Sequence, residues 1–148
     1  MASKLYTKIL IATDGSEYTK NAVDYGIDLA KNIGAEIRVI YVIDTAAFAS
    51  IPMDAAWESM YELLKQEGDL AIKYVLERAE AEGLEVEGNL IEGHPGDEII
   101  KYSENNAVSL IVMGTLGKSG LDRFLLGSVA EKVVRNSKIP VLVVRAKK

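Results

Sequence analysis

Leu110-Ile111-Val112-Met113-Gly114-Thr115-Leu116-Gly117, followed nine residues later by Gly127-Ser128, is the stretch from which the fold of this chain is read. Its first four residues form a short continuous apolar run, the pattern of a parallel strand buried on both faces, and Val129 to Asn136 has helical character. The glycines therefore sit where a strand hands over to a helix. Glycine lets backbone approach a ligand without a Cβ in the way, and a helix N-terminus offers unpaired N–H groups at the positive end of its dipole. An anion is the expected guest. An ordinary loop, with Ser128 as N-cap and Glu131 completing a capping box, is the structural alternative. The two readings of Ser128 are compatible, because a hydroxyl can donate to a phosphate while accepting a capping N–H.

The familiar phosphate motifs do not fit. A P-loop would need glycine five residues before Gly117-Lys118-Ser119, where Val112 stands. A dinucleotide fingerprint would follow the first strand, and there the chain reads Thr13-Asp14-Gly15-Ser16.

Outward from this stretch, apolar runs alternate with helical patterns. Lys8 to Thr13 is the first strand; Ser16 to Ile33 is a helix with Ser16 as N-cap and Gly34 as its stop. Glu36 to Ile43 is a second buried strand, and a long helix from about Asp54 to Glu82 places Met60, Leu64, Gly68, Ala71, Val75 and Ala79 on one face. Leu84 to Ile91 alternates, as a half-exposed edge strand does. Pro95 to about Glu104 is a short helix, and Val141 to Val144 is the last strand. Five strands and four helices in this order call for an α/β fold, a parallel sheet covered by helices on both faces. Ligands of such sheets sit beyond the strand carboxyl ends, at the point where the winding reverses. Asp14 and the glycine loop meet there if strands one and four are neighbours.

A length of 148 residues and a hydrophobic content of 49% fit a single domain, 1–148. The absence of cysteine removes disulfides, thiolate metal sites and cysteine nucleophiles, and fits a reducing compartment. No secretory h-region or membrane-length apolar run is present, so a soluble cytoplasmic protein is expected. A net charge of −5 argues against a nucleic-acid partner.

Gly114-x2-Gly117-x9-Gly127-Ser128 resembles the ATP-binding signature of the universal stress protein family. The likeness extends through Ile9 to Ser16, Val39 to Asp44, Glu92-Gly93-His94-Pro95 and Pro140 to Val144. It implies a Rossmann-like sheet in the order 3-2-1-4-5, similar to the adenine nucleotide alpha hydrolases. It also implies the ATP-binding branch of the family and a nucleotide site made of Ala12, Thr13, Asp14, Val42, Met113, Gly114, Gly117, Gly127, Ser128 and Val129. In that site the Val42 backbone meets the adenine edge, and Asp14 accepts from ribose hydroxyls or faces a phosphate-bound metal. Gly114 and Gly117 line the ribose and phosphate path; the N–H groups of Gly117, Gly127, Ser128 and Val129 hold the phosphates. The bland alternative for Asp14 is a cap on the first helix. The implied ligand is ATP, or ADP or AMP, with magnesium assisted by Asp14 and Asp44. The last strand, Val141 to Val144, lies at a sheet edge in this order and is expected to form a homodimer. The apolar segment Ala46 to Met53, with Trp57 beyond it, is a candidate lid or docking surface for a protein partner.

No nucleophile and base announce themselves. His94 is the single histidine and stands before Pro95, a turn position. A phosphoacceptor receiver needs an aspartate after strand three and a lysine at strand five, where this chain has Glu92-Gly93 and Val141 to Val144. A pyrophosphatase would carry Ser-Gly-Gly-x-Asp-Ser after strand one. The expectation is a regulatory ATP-binding module, with slow magnesium-dependent hydrolysis or an interaction module with a vestigial pocket as alternatives.

Overall fold

A computed structural model describes residues 4–48, 50, 52, 54–115 and 126–146 of the chain. Its elements run β1 (Lys8–Ala12), α1 (Glu17–Ile33), β2 (Glu36–Asp44), a 3₁₀ turn (Thr45–Phe48), α2 (Ala55–Ala81), β3 (Val86–Gly93), α3 (Pro95–Asn105), β4 (Leu110–Gly114), α4 (Ser128–Asn136) and β5 (Val141–Val144). The five strands form one sheet in the order β3-β2-β1-β4-β5, and every pairing is parallel. The expected fold class and strand order both hold.

Side-chain alternation sorts the strands onto two cores. Ile9 and Ile11 of β1, Val39 and Tyr41 of β2 and Val112 of β4 pack with α1 and α2. Leu10, Ala12, Ile40, Ile111 and Met113 pack with α3 and α4. Small residues set the helix–sheet spacing. A Cβ on Gly26 of α1 would stand 2.8 Å from Ile11 Cδ1, so that helix lies directly on β1.

The helix ends follow local chemistry, with three departures from expectation. Gly34 takes φ 73° and closes α1 with its N–H on the Ala30 carbonyl, as a left-handed C-terminal glycine does. Asp54 caps α2, accepting from Ala56 N and Trp57 N. Ser16 occupies the N-cap position of α1 but makes no capping bond with its side chain; Asp14 Oδ1 instead accepts from Ser16 N at 3.0 Å. The N-cap of α4 is Gly127 and not Ser128. Ser128 is thus the first helical residue, and Glu131 pairs with Arg135 at 3.1 Å in place of closing a capping box. β3 begins at Val86 and leaves Leu84 outside the strand, packed against the core.

Candidate functional site

β1, β2 and β4 all end at one crevice, and the winding reverses between β1 and β4. The β1–α1 loop that rims it is pinned by hydroxyls. Thr19 Oγ1 donates to the Ser16 carbonyl at 3.0 Å, so the 3.2 Å contact between Thr13 Oγ1 and Thr19 Oγ1 must use the Thr13 proton. Thr13 Oγ1 in turn accepts from Gly15 N at 3.1 Å. These bonds fix Asp14 at the crevice edge.

The main chain of Val42 is presented to the same crevice by strand period. Thr13 N donates to the Ile40 carbonyl at 3.1 Å, so the N–H and C=O of Ile40 point toward β1. Two residues later those of Val42 point the same way. β1 has ended by then, at Ala12. An adjacent donor and acceptor are left facing a space and no strand.

Across the crevice stands the N-terminus of α4, with no side-chain cap among the described residues. The first-turn N–H groups of Ser128, Val129 and Ala130 have no partner within the helix and point outward from its positive end. The Gly127 N–H behaves differently from expectation, since it donates to the Thr115 carbonyl at 2.7 Å. Thr115 N in turn donates to the Val144 carbonyl at 3.1 Å. β4, β5 and the start of α4 are thereby laced together.

These elements enclose a cavity of about 630 Å³, within the usual range for small-molecule sites. Ala12, Thr13 and Asp14 line it from β1 and its loop, Val42 from β2, Met113 and Gly114 from β4, and Gly127, Ser128 and Val129 from α4. The expected site residues are thus brought together, except Gly117, which with Lys118 and Gly120 lies outside the described residues. Asp44 joins Asp14 as the second carboxylate of the lining, and its Oδ1 accepts from Ala47 N at 3.1 Å. Ile40, Ile99 and Met113 give the cavity an apolar floor.

Two parts of the wall escaped the sequence reading. Pro95 and Ile99 of α3 close one side; Met60, Leu63 and Leu64 of α2 close another. Met60 and Leu64 were legible as a helical stripe, but one assigned to the core. His94 caps no N–H of α3 with its side chain and stands 3.8 Å from Asp97, outside the cavity lining. Among the described residues no group of three or more His, Cys, Asp or Glu can hold a metal by itself. No helix among them is long and apolar enough to cross a membrane.

Comparison with known proteins agrees with this geometry. The family model described as "Universal stress protein family" matches residues 5–145. The chain belongs to the universal stress protein family. Universal stress protein MJ0531 of Methanocaldococcus jannaschii is 46% identical over 97% of this chain and 85% of that protein. The solved structure of MJ0577, from the same organism, superposes with a TM-score of 0.85 at 32% identity, covering 97% of this chain and 99% of that one. A family member solved in complex with cAMP superposes with a TM-score of 0.72 at 25% identity, covering 97% and 100%. Nucleotide binding thus occurs among the structural neighbours on this fold.

Proposed function

We propose that this universal stress protein is an adenine-nucleotide-binding regulatory module, 1–148 acting as one unit, with ATP as its ligand and ADP or AMP as occupants of the same site. The observation that carries the reading is the pairing, across one cavity, of two backbone features that have no partner among the described residues. The Val42 main chain offers a donor and an acceptor suited to the edge of adenine, and the uncapped start of α4 offers N–H groups suited to phosphate. The floor of Ile40, Ile99 and Met113 suits the faces of a base, and Asp14, which lines the same cavity, is the proposed acceptor for ribose hydroxyls.

Magnesium fits as an ion carried by the ligand. Asp14 and Asp44 are the only charged side chains among the described lining residues, and two carboxylates repel a polyphosphate unless a cation stands between them. Magnesium characteristically takes one or two carboxylates together with phosphate oxygens.

Occupancy is the proposed output, and turnover is not. The described lining offers no Lys, Arg or His to stabilise charge on a transferring phosphoryl group. The module is proposed to work in the cytoplasm as a homodimer joined through β5, whose outer edge has no partner strand among the described residues. Calorimetry with ATP and magnesium tests the site: saturable binding is expected, and the absence of heat at millimolar nucleotide would remove it. A phosphate-release assay on the same samples separates a sensor from an ATPase.

A further inference from the structure

Helix α2 is 27 residues long; its buried residues all lie in the second half, while the first half touches the core through the half-buried Trp57, Tyr61 and Leu64. Its first buried residue is Gly68, and none from Ala55 to Glu67 is buried. Gly68 marks the point of docking, because a Cβ there would stand 2.6 Å from Leu90 Cδ1 and 2.8 Å from Tyr41 Cδ1. Upstream of it the helix carries Met60, Leu63 and Leu64 into the cavity wall, with Met60 40% and Leu63 55% exposed. A single exposed leucine is ordinary. A helical stripe facing an apolar floor across a cavity of ligand size is a surface that a bound base would cover.

We infer that the Ala55–Glu67 half of α2, which rests on the core through the half-buried Trp57, Tyr61 and Leu64 and is fully buried nowhere before Gly68, is a nucleotide-responsive arm whose Met60 and Leu63 leave water when a base fills the cavity. The inference rests on the adenine-nucleotide reading of the site and adds its regulation: occupancy becomes a change in the seating of this arm. Beside the apolar stripe the arm carries Trp57, stacked on Tyr61 with centroids 5.6 Å apart and planes 5° from parallel. The Tyr61 hydroxyl donates to Glu92 at 2.8 Å, near the end of the edge strand β3. Seating of the arm therefore changes a surface at that edge of the sheet, where a partner can read it.

Trp57 is the chain's single tryptophan, so its fluorescence reports the arm directly. On titrating the full chain with ATP and magnesium, acrylamide quenching of Trp57 falls and amide exchange over residues 55–67 slows. Both follow the midpoint of calorimetric binding. Leu63→Asp weakens that binding about tenfold, the loss expected from removing a partly buried leucine contact, and Leu70→Asp on the same helix does not. Calorimetric binding with unchanged quenching and unchanged exchange overturns the arm and leaves the nucleotide site standing. Full affinity in Leu63→Asp also overturns it. Absence of heat removes the site and the arm together.

Discussion

The Gly127 amide donates to the Thr115 carbonyl at 2.7 Å, tying the start of α4 to the end of β4. That bond holds the first turn of α4 at the cavity. Gly127 has φ −61°, a conformation open to any L residue. The backbone therefore does not require glycine there. Gly127→Val is expected to lose about 1 kcal/mol of stability, as an apolar residue at an N-cap does, and to lose ATP affinity by more than tenfold. Denaturant unfolding and calorimetry on the same sample measure the two. A folded Gly127→Val that binds normally would show that no phosphate approaches this backbone.

Ser128 stands inside the helix, so its hydroxyl is not needed as a cap. Ser128→Ala is expected to change stability by no more than about 0.5 kcal/mol. A hydroxyl bonded to a phosphate contributes more, about 1.5–3 kcal/mol for a hydrogen bond to a charged group. ATP affinity should then fall roughly tenfold or more. Stability loss without affinity loss would return Ser128 to a purely structural role.

The two carboxylates of the lining set the cation dependence. ATP is expected to bind more weakly in EDTA than in magnesium, whereas AMP, with fewer charges to screen, should respond much less. Asp14→Asn should narrow the difference for ATP. Paired titrations with and without chelator decide it, and equal magnesium responses from ATP and AMP would take the ion out of the site.

Strand β5 allows its two edges to be tested separately. Ile111 N donates to the Pro140 carbonyl and Thr115 N to the Val144 carbonyl, so alternate residues 140, 142 and 144 turn their backbone toward β4. Val141 and Val143 turn theirs to the open edge. Val143→Pro removes one outward N–H and spares the ladder to β4; it is expected to give a folded monomer by light scattering. Leu142→Pro should destabilise the fold itself. A parent protein already monomeric at micromolar concentration would dispose of the dimer.

Asp97 on α3 accepts from Lys132 on α4 at 2.7 Å, and that hydrogen bond holds its carboxyl below the ordinary value of 3.8. Because the folded value is depressed, the tie contributes stability above about pH 4 and loses it as the pH falls through the folded value. Carboxyl carbon shifts followed by NMR should show Asp97 titrating lower than a free aspartate. Lys132→Gln should return it to the ordinary range; an unshifted midpoint in the parent would show the pair does not persist in solution.

The β-strands were legible because their apolar runs are strong and local, and the cavity-lining positions because the family resemblance placed them at the strand ends. What misled was the reach of local signals. Ser128 satisfies every local rule for an N-cap, yet the bond from Gly127 to Thr115 fixes the helix start one residue earlier. Met60 and Leu64 continue the stripe that buries Val75 and Ala79, and nothing in the stripe tells that full burial begins only at Gly68 and that Met60 and Leu64 line a cavity.

By itself the sequence determined the alternation of strands and helices and the glycine-rich handover after β4, because period and residue type are local properties; the expected site residues came from the family resemblance. The tertiary structure alone decided which groups remain unsatisfied. Val42 faces open space because β1 ends at Ala12, the first turn of α4 lines the cavity because Gly127 is bonded back to Thr115, and Met60 and Leu63 line it because no residue of α2 before Gly68 is fully buried.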